Sequence, residues 1–115
     1  AYSNEVKENI LKISPQTLLR HGAVSEKISK EMCKSAQNIF ETDISVSTTG
    51  IAGPSGGTSD KPVGLVYISV IFGDIILTKK FMFIKDRQIN RKITLNASLN
   101  MVREIINRKN NLKIY

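Results

Sequence analysis

A single cysteine, Cys33, excludes an internal disulfide and leaves no thiol cluster for a metal site. Histidine is equally scarce: His21 has no second imidazole to pair with, so neither a metal nor another cofactor is expected. Long apolar runs are missing too. The longest, residues 63–77, is broken by Gly64, Ser69, Gly73 and Asp74, and falls short of the ~20 residues that cross a bilayer. The opening residues, Ala1-Tyr2-Ser3-Asn4-Glu5, lack the basic-then-apolar order of a secretory leader. No membrane partner is therefore expected, and the cytoplasm is the expected compartment.

What is present is an ordinary globular composition, 41% hydrophobic and 23% charged, in 115 residues. That length makes one domain, residues 1–115, with room for a real core. The net charge of +7 attracts anions, from polyanions down to a small phosphate ester. The basic residues are densest over 79–113, but Glu, Asp and Asn are interspersed and no aromatic-interleaved motif accompanies them. They read as solvated helix faces, so nucleic acid is not the expected partner.

The periodicity predicts a helix over 4–12 capped by Asn4, with Val6, Ile10 and Leu11 at helical spacing. Ser14-Pro15 opens a second helix, which Gly22 stops after the basic pair Arg20-His21. Ser25 caps a third, with Ile28, Met32, Ala36, Ile39 and Phe40 on its inner stripe and Cys33 beside them as buried filler. After Asp43 the period becomes two. Ile44, Val46 and Thr48 alternate with Ser45, Ser47 and Thr49 in a β-branched strand. Two further strands over 64–72 and 75–84 are joined at Gly73-Asp74 as a hairpin. Asp86 or its neighbour starts a long last helix, whose stripe is Ile89, Ile93, Ala97, Met101, Ile105 and Ile106. Helices on both faces of a small mixed sheet make a three-layer α/β/α sandwich. One strand and one hairpin form a thin sheet for so many helices. The expectation is that at least one central strand, and a helix with it, precede Ala1 in a complete domain.

Three clusters can carry chemistry. The first is Thr48-Thr49-Gly50-Ile51-Ala52-Gly53-Pro54-Ser55-Gly56-Gly57, followed by Lys61-Pro62-Val63-Gly64. Hydroxyls at a strand end meet a loop whose glycines let backbone N–H groups converge on an anion. It is neither a phosphate-binding P-loop nor a dinucleotide fingerprint; a plain surface turn is the bland alternative. The second is Tyr2-Ser3-Asn4-Glu5 with Lys7, where a buried lysine can act as a base; otherwise it is a solvated helix start. The third is Asp86-Arg87 with Arg91 at a helix N-terminus, a clamp for phosphate or carboxylate, or simply a cap with exposed arginines.

Together with Gly22-Ala23-Val24-Ser25-Glu26, these segments occur in an order and spacing that resemble the CinA C-terminal domain family. The Gly-Ile-Ala-Gly-Pro-x-Gly-Gly…Lys-Pro-x-Gly combination is the specific part. The resemblance implies an amidohydrolase that converts nicotinamide mononucleotide to nicotinate mononucleotide and ammonia without a metal, in pyridine-nucleotide salvage. Residue by residue, it implies catalytic roles for Tyr2, Lys7 and Thr49. It implies substrate contacts from Glu5, Gly50, Gly53, Gly56, Gly57 and Arg87, the last at the phosphate.

Two departures accompany it. The family's Ala-Glu-Ser-Cys-Thr-Gly-Gly motif, taken to hold the nucleophilic serine, is absent, as is a Gly-Ser-Ser turn after it. Lys85 stands where many relatives have glycine. The chain as given is therefore expected to be inactive alone and to associate with another copy through exposed sheet surface. The alternative function is a non-catalytic nucleotide-binding or interaction module of a competence- or damage-inducible protein.

Overall fold

The computed structural model describes residues 3–83 and 86–114. Its elements run α1 (Asn4–Asn9), α2 (Pro15–His21), α3 (Glu26–Phe40), β1 (Ile44–Gly50), β2 (Leu65–Phe72), β3 (Ile75–Met82) and α4 (Arg87–Ile114). The sheet order is β1-β2-β3, with Ser47 opposite Ser69 and Ser69 opposite Thr78. Both pairings are antiparallel, so the parallel pair of a mixed sheet does not occur among the described residues. α3 lies over one face of the sheet and α4 over the other, which gives the three layers.

Local chemistry sets the ends. Ser3 rather than Asn4 caps α1, its hydroxyl accepting from Val6 N at 3.2 Å. Ser25 does the same for Ile28 N at 3.2 Å while donating to Gly22 O, so one side chain closes α3 and holds the turn before it. Asp86 accepts from Ile89 N at 2.9 Å and starts α4. At the hairpin, Gly73 takes a φ of 63° and Gln37 of α3 donates to its carbonyl.

The two faces of the sheet differ in kind. Toward α4 the core is apolar: Val66, Ile68, Val70 and Leu77 pack on Met101 and Ile105. Each such side chain is worth about 1.5–3 kcal/mol of burial. Toward α3 the strands present hydroxyls. Ser29, fully buried, meets Ser69 at 2.8 Å, and Ser69 meets Thr78 at 2.8 Å. Ser47 donates to Ser29 O at 2.6 Å and Ser45 to Cys33 O at 2.8 Å. Strand β1 thus buries its serines and Thr49, and exposes Val46 and Thr48.

That choice moves the helix stripes. Small groups at Ser29 and Cys33 bring α3 close to the sheet, so Ile39 and Phe40 fall outside the core at 44% and 69% exposure. On α4, Asn90, Ser98, Met101 and Ile105 are the buried set, while Ile89 is exposed. The first half of its inner face is polar, and it does not close over β1.

Candidate functional site

The glycine-rich loop, residues 51–64, leaves β1 and returns to β2 through paired backbone bonds: Ile51 N to Leu65 O and Gly64 N to Ile51 O. Three long side chains, two from α4 and one from the loop itself, tie it to its neighbours. Arg87 Nη1 donates to Gly53 O at 3.2 Å, and Asn90 Nδ2 donates to Ala52 O at 3.2 Å, so the start of α4 grips one end. Lys61 Nζ donates to His21 O at 2.6 Å, which fastens the other end to the last turn of α2. Within the loop, Thr58 N and Lys61 O pair at 2.9 Å, and Lys61 N returns to Thr58 Oγ1 at 3.0 Å.

Three of the loop's glycines are required by packing, Gly64 because a Cβ there would run into the Phe83 carbonyl. A Cβ on Gly53 would stand 2.6 Å from Val63 Cγ1, and one on Gly57 the same distance from Val63 N. A Cβ on exposed Gly56 would meet Ile51 Cγ2 at an ordinary 3.7 Å, so its φ of 97° rather than packing favours glycine there. The Gly53–Pro54 peptide is cis.

Beside the loop, where α4 leaves β1 uncovered, lies a groove of 420 Å³. Val46 and Val66 form its apolar floor, Thr48 and Gly50 its strand side, and Asn90, Arg91, Thr94, Leu95 and Ser98 its helix side. This placement divides the residues expected to act together. Gly50 lines the groove, whereas Thr49 points to the opposite face, its hydroxyl donating to Ala23 O at 2.8 Å. Successive side chains of a strand alternate, so Thr48 is the threonine that faces the groove. Arg87 reaches the loop itself rather than the groove lining. Glu5 is exposed in the first turn of α1. Lys7 does not line this groove; it is buried at 3% exposure, and desolvation lowers its pKa from the ordinary lysine value. Tyr2 and Lys85 lie outside the described residues.

Sequence reasoning passed over one residue. Asn90 is buried at 1% exposure and grips the loop; its spacing from Ser98, Met101 and Ile105 was the available signal. Lys61, singled out in the Lys-Pro turn after the glycines, anchors the loop to α2, a partner the sequence did not indicate. No group of three His, Cys, Asp or Glu residues suited to a metal ion occurs among the described residues.

The CinA C-terminal domain profile matches residues 1–106. This chain belongs to that family. A CinA-like protein of Chloroherpeton thalassium is 44% identical over 92% of this chain. A competence-damage inducible homologue from Alkaliphilus metalliredigens is 48% identical over 89% of it. The match covers only 26% and 25% of those proteins, so the chain spans about a quarter of the curated relatives' length. Among solved structures, the competence/damage inducible protein CihA of Agrobacterium tumefaciens superposes with a TM-score of 0.87 at 31% identity. A competence or damage-inducible protein of Enterobacter asburiae gives 0.84 at 33%. The match covers 90% and 89% of this chain and 64% of each of those chains.

Proposed function

We propose that this domain belongs to an amidohydrolase that deamidates nicotinamide mononucleotide, releasing nicotinate mononucleotide and ammonia in the cytoplasm. The observation that carries this reading is the glycine-rich loop of the CinA C-terminal family held by Arg87, Asn90 and Lys61 beside an open groove. A loop fixed at three points keeps its amides in place before charge develops on a carboxamide oxygen, which is the requirement for an oxyanion site.

The chemistry needs a nucleophile, which the resemblance assigns to a serine in a motif outside these residues. Its hydroxyl attacks the carboxamide carbon and gives its proton to Lys7, the amine that burial keeps more readily neutral than an ordinary lysine. The tetrahedral intermediate collapses, Lys7 returns the proton to the departing nitrogen, and ammonia leaves. Water then hydrolyses the acyl-enzyme ester to the free acid and regenerates the hydroxyl. Tyr2 would orient Lys7, Glu5 would contact the substrate, and Thr49, whose hydroxyl ties the end of β1 to Ala23, would hold substrate or oxyanion with the loop amides. A second copy of the chain is the proposed partner in assembly.

Ammonia release from nicotinamide mononucleotide, compared between this chain and the full reading frame of its gene, tests the reading. Activity in the longer product alone supports it and assigns the nucleophile to the additional segment. Activity in neither, with retained nucleotide binding, favours a non-catalytic nucleotide-binding module instead.

A further inference from the structure

Arg87 uses one of its five guanidinium N–H donors on Gly53 O, which aims it at the loop, and it is not part of the groove lining. One helical turn later, Arg91 is exposed and has neither an ion pair nor a hydrogen bond to any described residue. It stands on a ridge of α4. On one side is the groove over β1, and on the other a second depression of 440 Å³ that Lys92 also lines. Among the described residues, no carboxylate lines either one.

The groove's hydrogen-bonding inventory points the same way. The Thr94 hydroxyl donates to Asn90 O at 2.7 Å and the Ser98 hydroxyl to Thr94 O at 2.8 Å. Their protons are committed, so toward a ligand both offer acceptors only. The Asn90 amide nitrogen donates to Ala52 O. Thr48, exposed on β1, and Arg91 also line the groove and carry side-chain donors. An anionic group placed deep against Ser98 would meet lone pairs; placed beside Arg91 it would meet a cation. The apolar floor at Val46 and Val66 suits the face of a flat ring.

We infer that Arg91, rather than Arg87, is the anion-binding residue of the groove, with Lys92 alongside. The ligand is a phosphate monoester carrying a planar group, its phosphate at Arg91 and its ring over Val46. Arg87 is a positioning residue that sets the loop. This inference rests on the reading above for the choice of nucleotide but not for the class of ligand.

The test is a titration of the isotope-labelled chain with nicotinamide mononucleotide, with nicotinamide riboside, which lacks the phosphate, and with a second nucleoside monophosphate. Wild type is compared with Arg91→Gln and, as a control for lost charge, with Lys80→Gln on the far strand. Arg91→Gln is expected to weaken binding of phosphate-bearing ligands at least tenfold, about 1.4 kcal/mol, with the riboside unchanged and Lys80→Gln silent. Equal affinity in wild type and Arg91→Gln overturns the inference, as does an absence of phosphate-ester binding by this chain. Arg91-dependent binding of the second nucleotide but not of nicotinamide mononucleotide keeps the inference and removes the proposed substrate. Binding of nicotinamide mononucleotide that ignores Arg91 does the reverse.

Discussion

Arg87 and Gly53 stand thirty-four residues apart in the chain and meet through one hydrogen bond of 3.2 Å, from guanidinium to carbonyl. The bond converts an exposed arginine at the start of a helix into a brace for the loop beside the groove. Arg87→Met is expected to weaken that brace by about 1 kcal/mol, roughly fivefold in protection. Hydrogen exchange at the amides of Ile51 and Gly64, which close the loop, is the readout. Unchanged protection at both would show that Asn90 and Lys61 suffice.

Lys61 and Gly22 form the second brace. Gly22 ends α2 at φ 76° and ψ 158°, a region that only glycine occupies readily. A Cβ there would also stand 2.6 Å from Lys61 Nζ. Gly22→Ala therefore has two costs, backbone strain and a displaced ammonium that abandons His21 O. Together they are expected to lower stability by about 1–3 kcal/mol. In Lys61→Ala the second cost is already absent, so the same substitution should be milder. Denaturant midpoints of the four proteins in the cycle measure the coupling. Strictly additive effects would place the whole cost in the backbone.

How much was legible depended on whether a pattern was local. Ser14-Pro15 with Gly22, the Ser25 cap and the Gly73-Asp74 hairpin are short-range signals, and all lie where their spacing put them. The inner face of β1 was not legible. Ser45 and Ser47 are buried because Ser29 and Cys33 approach from α3, a contact between segments twelve to eighteen residues apart. Once that face is set, strand alternation turns Thr48 to the groove and Thr49 to Ala23, which a linear motif cannot express. The same holds for α4. Its apolar stripe named Met101 and Ile105, but its first turns face a loop with free carbonyls, and there Asn90 outcompetes Ile89 for the inside.

Lys7 carries a pH signature. Burial lowers its folded pKa, so between that value and the unfolded value of about 10.4 the unfolded chain binds more protons than the folded one. Stability due to this group must then rise with pH across that window and be level below it. Cys33 acts in the opposite sense, because burial raises its thiol pKa and penalises the thiolate above the ordinary value. The difference between wild type and Lys7→Met cancels the Cys33 contribution. That difference should shift in favour of wild type as pH increases from neutral toward 10.5. A flat difference would mean that Lys7 is solvated in solution.

Cys33 supplies the most direct check on the layer between α3 and the sheet. Its thiol is fully buried, with its one S–H proton within reach of Ser45 O at 3.3 Å and Ser69 O at 3.4 Å, while Ser45 Oγ lies 3.4 Å away. An alkylating reagent needs a thiolate and a path, and burial removes both. Reaction must therefore wait for α3 to lift from β1 and β2. The native rate is expected to be roughly a hundredfold or more below that in denaturant. Ser29→Ala deletes the hydroxyl between Ser47 and Ser69 and loosens the same layer, so it should speed native alkylation without changing the rate in denaturant. Rapid labelling of native wild type would show that the serine-lined face is open to solvent, and the account of why β1 turns Thr48 outward would fall with it.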